Sequence, residues 1–250
     1  MSGSNESESE IEEKERKKEE MRQRKKETMR QIILDAALEL FIENSQKGCK
    51  YDNITMEDIA DRAAVSRATL YNYFSCKEEF YFEIGAQGFQ EIQETHQAQM
   101  TSETSGLDQV LSLCDVELKT IIERPFYHEV IRHFNFSNKE ADYSAKEIQQ
   151  KMELGEEVGC ADRMRVKFHL EDEKAWEYDH QVISRGLEDK SIKSDLDIRQ
   201  LVQFRWMIIS GIFDQYNVRK HYLPSLELPA ERVIQLTIGL IRNLMAGETK

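Results

Sequence analysis

The segment from Ile59 to Phe74 constrains the fold more than any other part of the chain. Its pattern predicts two short helices joined by a tight turn, with one face of the pair directed inward. Because Ala60 and Ala63 are small, the two helix axes can approach closely where they cross. The inward positions are Ile59, Ala60, Ala63, Val65, Leu70 and Phe74.

The residues before each predicted helix are suited to capping it. Asp58 follows Thr55 at the spacing of a capping box, and Ser66 directly precedes the second helix. The outward residues of that helix are small or form hydrogen bonds, as a helix in the DNA major groove requires. They are Arg67, Ala68, Thr69, Tyr71 and Asn72, with Tyr73 near the edge. The alternative is a helical hairpin with a solvated polar face.

This segment and the residues after it resemble the DNA-binding signature of the tetracycline-repressor-like (TetR) transcription regulators. The resemblance covers roughly residues 28–85 and is specific there. Its motif is Ile59-Ala-x-x-Ala63-x-Val65-Ser66-x-x-Thr69-Leu70-Tyr71-x-Tyr73-Phe74-x-x-Lys77-Glu78-x-Phe80. Ala64 departs from it, because glycine is common at this turn position. The segment Ser45–Asn53 also makes a longer link between the first two helices than the family usually has.

The resemblance implies an all-α fold, with an N-terminal three-helix helix-turn-helix domain followed by an all-helical ligand-binding and dimerisation domain. Members of the family are dimers that release their operator DNA when a small ligand enters the C-terminal domain. The resemblance further implies that nine residues contact DNA. They are Thr55, Ser66, Arg67, Ala68, Thr69, Tyr71, Asn72, Tyr73 and Lys77.

The match to the family's motif also suggests a role for most of these residues. Thr55 and Lys77 are expected to grip phosphates, and the tyrosine hydroxyls to reach the DNA backbone. The residues expected to face the base edges are Arg67, Ala68, Thr69 and Asn72. Arg67 could recognise guanine and Asn72 adenine through two hydrogen bonds each. A good bidentate pair favours the correct base over a wrong one by about 1–3 kcal/mol.

We expect three parts along the chain. Residues 1–27 form a charged extension, partly disordered or a frayed helix, with disorder over the Ser/Glu-rich residues 2–10. From Ile11 onward, opposite charges at helical spacing predict a helix that continues into the DNA-binding domain. Residues 28–75 form the DNA-binding domain, which opens with an amphipathic helix from about Thr28 to Asn44. Residues 76–250 form the regulatory and dimerisation domain, which opens with a helix after Ser75.

The net charge of −13 is unevenly distributed along the chain. From Lys14 to Arg30 there are nine basic and four acidic residues, so this segment carries a charge of +5. Attraction to phosphate is local, because charges beyond about 8–10 Å are largely screened. The segment is either a basic arm that reaches DNA or a solvated helix that only aids solubility.

Helical periodicity continues to the C-terminus. We expect four helices in this part of the chain. One ends before Pro125, a short one follows it, a third covers about Asp142–Glu157, and a long one runs from about Glu171 through Leu187. Two final helices, about 198–221 and 229–246, are expected to form a homodimer contact. The second is apolar around most of its circumference, so it needs cover on two sides. The alternative is a helix internal to a monomer.

The sequence leaves the regulatory signal open. Five aromatic residues are candidates for lining a small-molecule cavity, although aromatic residues at helical spacing also build ordinary cores. They are Phe126, Phe134, Phe168, Trp176 and Phe204. The histidines lack the spacing of a helical chelate, so we expect no metal and no cofactor. Redox sensing through Cys76, beside Lys77 at a helix start, is a further alternative.

These observations favour a dimeric, ligand-released transcription repressor that binds duplex DNA. The alternative is an architectural or nucleoid-associated protein of the same fold that needs no ligand. An enzyme is not expected, since the chain lacks a Gly-rich phosphate loop and the common hydrolase motifs. The sequence has neither a signal-peptide pattern nor a long apolar run, and its four scattered cysteines favour reduced thiols. We therefore expect the protein in the cytoplasm.

Overall fold

A computed structural model describes residues 4–46, 54–101, 104–136 and 141–247, with side chains over 11–44, 54–101, 104–130 and 146–247. This part of the chain is all-helical and has no strand, which confirms the predicted fold class. The helices are α1 Ser4–Gln46, α2 Met56–Arg62, α3 Arg67–Tyr71, α4 Lys77–Gln99, α5 Gly106–Glu123, α6 Pro125–Phe136, α7 Ala141–Glu153, α8 Cys160–Glu188, α9 Ile198–Arg219 and α10 Ala230–Ala246, with a 3₁₀ turn Leu223–Leu226 before α10.

The chain divides into two compact units, Met1–Phe80 and Tyr81–Lys250. In the first unit, α1 packs against α2, and α2 against α3. Arg62 joins α2 to α1 through two hydrogen bonds of 2.9 Å to Glu43 and one of 3.4 Å to Glu39. The core consists of Ile33, Leu34, Ala36, Ala37, Phe41, Ile54, Ile59, Ala60, Leu70, Phe74 and Phe80, all buried.

The first helix is continuous with the charged extension, as the charge spacing from Ile11 predicted, but it begins earlier. It begins at Ser4, so residues 4–10 are helical, where the Ser/Glu composition predicted disorder. Neither proline nor glycine interrupts the sequence between Ser4 and Gln46, and pairs of opposite charge four residues apart stabilise an exposed helix. Lys17 pairs with Glu13 at 2.6 Å. The predicted long link Ser45–Asn53 lies largely outside the described residues.

The second unit is built around α5, which packs against α6, α8, α9 and α10. The start of α5 meets the end of α8 at Gly106 and Gly186. A Cβ atom on Gly106 would lie 2.1 Å from the backbone nitrogen of Gly186, so only glycine permits this crossing. The loop after α8 completes the junction, because Asp189 and Ser191 accept hydrogen bonds from the first two backbone N–H groups of α5.

The last two helices begin and end close to the predicted positions. Asp197 caps α9, and its capping box is closed by Gln200. Gly247, with a φ of 70°, terminates α10 in the left-handed conformation that glycine favours. Helix α8 begins at Cys160, well before the predicted Glu171. No helix in the described ranges is both long and apolar enough to cross a membrane.

Candidate nucleic-acid interface and a buried charged cluster

The short helix α3 presents its polar side to solvent. Ser66 caps it by accepting a 3.1 Å hydrogen bond from the backbone N–H of Thr69, and the two hydroxyls lie 2.8 Å apart. Arg67, Ala68, Tyr71 and Asn72 are exposed, with more than half of the Tyr71 surface accessible. Thr69 and Tyr73 are half-buried. The exposed residues match the outward positions that the periodicity predicted.

The opposite side of α3 is anchored in an aromatic cluster. Leu70 and Phe74 are fully buried, and the ring of Phe74 stacks on that of Phe80 with centroids 4.0 Å apart. The guanidinium of Arg30 lies 4.6 Å from the Phe74 centroid. Ile59 and Ala60 complete the buried positions, whereas Ala63 and Val65 are half-buried. The helix is therefore held by its apolar side.

Arg67 is exposed and forms an ion pair with Glu57 of α2. An exposed pair of this kind contributes only about 0–1 kcal/mol, so a stronger anionic partner can displace the carboxylate. In the free protein the pair holds the guanidinium beside α2. Contact with a base edge requires Arg67 to leave Glu57.

Thr55 and Lys77 already have partners within the first unit. The Thr55 hydroxyl donates to Asp58 at 2.7 Å and accepts from the Asp58 backbone N–H, and the Thr55 N–H donates to the Asp58 carboxylate. These bonds confirm the predicted capping box, and they lower the pKa of Asp58. The Lys77 ammonium donates to the Ile54 carbonyl oxygen at 2.9 Å.

The turn between α2 and α3 explains one departure from the motif. Ala64 has a φ of 54°, in the left-handed region that glycine adopts without steric cost. The backbone N–H of Val65 closes the turn by donating to the Ala60 carbonyl at 3.0 Å. The turn therefore keeps the glycine conformation although the residue is alanine.

Comparison with known proteins agrees with this geometry. Residues 33–84, from the α1 core to the start of α4, match the family model of bacterial regulatory proteins of the tetR family. Residues 33–84 therefore form a DNA-binding domain of the TetR type. The matched region contains α2, the turn and α3, so the helix-turn-helix of a DNA-binding transcription regulator is present.

Solved structures share the TetR fold at low sequence identity. A TetR-family regulator from Syntrophomonas wolfei has a TM-score of 0.63 and 17% identity, over 89% of this chain and 97% of the other. FadR from Bacillus subtilis, in complex with stearoyl-CoA, has a TM-score of 0.61 and 15% identity, over 87% of this chain and 98% of the other. FadR from Bacillus halodurans has a TM-score of 0.60 and 16% identity, over 84% of this chain and 95% of the other. No curated protein matches the sequence.

The aromatic residues proposed for a ligand cavity have different surroundings where their side chains are described. Phe126 and Phe168 are buried, and Phe168 contacts Phe89 with ring centroids 6.1 Å apart. Trp176 packs against the second unit's core, whereas Phe204 is 44% exposed. The side chain of Phe134 lies outside the described residues. A groove of about 480 Å³ in the same unit is lined by none of the four described aromatic residues. Its lining consists of Phe82, Lys167, Leu170, Glu171, Glu173, Lys174 and Glu177.

A buried charged cluster lies in the second unit, and sequence reasoning missed it. Arg205 of α9 is fully buried and bridges the carboxylates of Glu117 on α5 and Asp179 on α8. The indole N–H of Trp206 donates to Asp179 at 2.9 Å. Burial raises the pKa of Glu117 to about 7, although Arg205 opposes the rise. The two carboxylates raise the pKa of Arg205 despite its burial.

A second polar cluster, centred on the buried His96, joins α4, α5 and α8. The ring of His96 lies 2.6 Å from the Tyr178 hydroxyl and 2.9 Å from the Gln109 carbonyl oxygen. Burial lowers the pKa of His96, so the ring is held neutral. A neutral ring with both nitrogens occupied has a structural role.

A sequence signal for the charged cluster does exist. Arg205 is four residues from Leu201 on one side and from Ile209 on the other, so it interrupts an apolar stripe of α9. Glu117 interrupts the stripe of α5 between Leu113 and Ile121 in the same way. A charged residue at a core position needs a partner, and two such interruptions on neighbouring helices point to one another.

Two observations concern the candidate metal ligands and Cys76. Among the described residues there is no group of three or more histidine, cysteine, aspartate or glutamate side chains placed to hold a metal ion. Cys76 is disulfide-bonded, so it presents no thiol whose pKa a helix start would lower. This differs from the expectation that the scattered cysteines are reduced.

Proposed function

We propose that this TetR-family regulator is a homodimeric repressor that binds a palindromic operator through α3. The observation that carries the proposal is the contrast between the two sides of α3, one anchored on Phe74 and one exposed from Arg67 to Asn72. Arg67, Ala68, Thr69 and Asn72 face the base edges. Phosphate contacts come from Ser66, Tyr71, Tyr73 and Lys77, and from Thr55 where its capping bonds allow.

Binding-site selection from random duplexes tests the DNA-reading role. The full chain is expected to enrich a palindrome, because a two-fold dimer reads two equivalent half-sites. Asn72→Ala should relax the preference at one position per half-site, by about 1–3 kcal/mol for the bidentate pair that it removes. Gln181→Ala, which removes an exposed amide from α8, is the control. An unchanged preference with Asn72→Ala would contradict the assignment.

The dimer contact is proposed to lie on α9 and α10, over residues 198–221 and 229–246. Phe204 and Met207 on α9, and Leu236 and Leu240 on α10, are 44–57% exposed and follow helical spacing. A Cβ atom on Gly211 or on Gly239 would have no neighbour within 4 Å. The two packed helices thus share an exposed apolar face with open space above it. Such a face supports association with the equivalent face of a second copy.

Sedimentation equilibrium tests the dimer. The chain should sediment with twice the mass of one protomer, and Leu236→Glu with Leu240→Glu should shift it to the monomer. The matched control places the same two substitutions at Leu154 and Leu170, which are also exposed. A monomeric wild-type chain would contradict this part of the proposal.

Release by a small molecule bound in the second unit is the remaining part of the proposal. It is supported by the likeness to Bacillus subtilis FadR, whose structure contains stearoyl-CoA. Stearoyl-CoA is therefore the first probe, followed by molecules extracted from the denatured protein. Coupling must be reciprocal, so a ligand that weakens DNA binding must itself bind more weakly to the DNA complex, by the same factor.

The alternative is a ligand-independent architectural protein that uses the same DNA-binding domain. The observation that favours it is the dispersal of the candidate ligand residues, with Phe126 and Phe168 buried and Phe204 exposed. Such a protein would bind many sequences with similar affinity. Both functions place the chain in the cytoplasm and require no catalytic turnover, so hydrolysis or transfer by the purified protein would contradict both.

A further inference from the structure

The exposed N-terminal half of α1 has a one-sided charge distribution. Every residue from 11 to 28 is exposed, and only from Ile33 onward does the helix bury apolar side chains. At about 100° per residue, six cations fall within an arc of about 160° that contains no acidic residue. They are Lys14, Lys17, Lys18, Arg22, Arg24 and Lys25, and we call this the cationic face.

The acidic residues of the same segment occupy the rest of the circumference. They are Glu12, Glu13, Glu15, Glu19, Glu20 and Glu27, and only Arg16 and Lys26 lie among them. A helix that serves solubility alone has no need to separate the two signs. Separation is costly, because like charges four residues apart, such as Lys14 with Lys18 and Lys18 with Arg22, destabilise a helix.

Ion pairs within the helix leave much of this face uncompensated. Lys17 pairs with Glu13 at 2.6 Å, and Arg22 with Glu19 at 3.6 Å, both at the edges of the face. Lys18, Arg24 and Lys25 make no ion pair with any residue whose side chain is described. Opposite charges outside the helix would therefore relieve the repulsion.

The spacing of the cations suits a regular anionic partner. Lys14, Lys18, Arg22 and Lys25 follow one another at four, four and three residues, so they form a stripe about 16 Å long. A DNA strand presents one phosphate about every 3.4 Å along the duplex axis, and each neutralised phosphate releases counterions. Lysine and arginine on exposed stems are the usual phosphate ligands of DNA-binding proteins.

We propose that the cationic face of α1 binds the phosphates of duplex DNA that flanks the sequence read by α3. The contact enlarges the footprint and strengthens binding without adding sequence preference. It rests on the proposed DNA-binding function, but its own absence leaves recognition by α3 intact.

The test compares two faces of one helix. Duplexes obtained by selection with the full chain are trimmed to the sequence that α3 requires or extended by about 15 base pairs of scrambled DNA on each side. Lys18→Gln with Lys25→Gln removes two charges from the cationic face. The matched control, Arg16→Gln with Lys26→Gln, removes two charges from the acidic side of the same exposed helix, and circular dichroism verifies that both variants fold.

The wild type and the control should bind the extended duplex at least about tenfold more tightly than the trimmed one, and the cationic-face variant should not show this advantage. The slope of log K against log salt should become shallower by about 0.9 for each phosphate that is no longer neutralised, so by about 1.8 per protomer. All three proteins should select the same sequence.

Two results would overturn the proposal. One is an equal reduction of slope in both variants, which reflects overall charge rather than a binding face. The other is a cationic-face variant that keeps the slope and the preference for the extended duplex. A chain that selects no sequence at all contradicts the proposed function instead, so the two failures are distinguishable.

Discussion

The two units differ in where they place their polar chemistry. In the first unit the side chains of Arg67, Tyr71 and Asn72 are exposed, and the core beneath α3 is apolar. In the second unit the most strongly interacting charges, those of Glu117, Asp179 and Arg205, are inside. Exposed charges remain available to a partner, whereas buried ones are committed to one another. The difference predicts that equivalent substitutions have unequal effects on stability.

The largest expected effect comes from Arg205→Met. This substitution leaves Glu117 and Asp179 in the core without their cation, so the free energy of unfolding of the second unit should fall by about 3–5 kcal/mol. Both tryptophans lie in this unit, so urea unfolding followed by tryptophan fluorescence reports on it.

Two controls sharpen this prediction. Arg67→Met breaks an exposed ion pair and should cost less than about 1 kcal/mol, measured by circular dichroism. Adding Glu117→Gln and Asp179→Asn to Arg205→Met should restore much of the stability, because the unpaired charges are gone. If Arg67→Met destabilises as much as Arg205→Met, the contrast between the units is wrong.

The next effect is a pH dependence confined to the second unit. The pKa of Glu117 is about 7 in the folded chain, above its ordinary value of 4.5. The folded state therefore binds more protons between these values, and stability falls as pH rises through this window, by at most about 3 kcal/mol. His96 acts in the opposite sense, since its pKa is lowered on folding.

Glu117→Gln isolates the contribution of this carboxyl. Urea unfolding midpoints from pH 5 to pH 8 should show that the stability of the wild type relative to Glu117→Gln declines with rising pH. Subtracting the two profiles removes the contribution of His96. Parallel profiles would mean that Glu117 is ionised throughout, with a pKa close to its ordinary value.

The smallest effect lies in the turn that precedes α3. Ala64→Gly should stabilise the first unit by roughly 0.5–1 kcal/mol, because the left-handed conformation costs alanine about 1–2 kcal/mol and the flexibility of glycine offsets part of that. The control is Ala63→Gly, where φ is −76° and glycine should destabilise the turn. Thermal unfolding monitored by circular dichroism measures both.

The sequence was most informative where the determinants are local. Capping by Thr55 and Ser66 follows from neighbouring residues, and both caps are confirmed. The predicted limits of the last two helices also lie within two residues of the observed ones, because Asp197 and Gly247 mark helix ends.

Features that depend on distant contacts were not predicted. The early start of α8 was missed because Met164, Val166 and Phe168 are buried at a spacing of two, which hides the helical period, and Gly159 provides no side-chain cap. The cluster at Arg205 joins this residue to carboxylates 26 and 88 positions away in the sequence. A local pattern can mark each buried charge, but it does not identify all of its partners.

A salt titration of full-length protein against its selected duplex, and against a scrambled duplex of the same length, tests the central claim most directly. A regulator that reads bases through α3 should prefer the selected duplex by at least about a thousandfold near physiological salt, with a steep salt dependence for both duplexes. Equal affinity for the two duplexes at every salt concentration would contradict the account and favour an architectural protein.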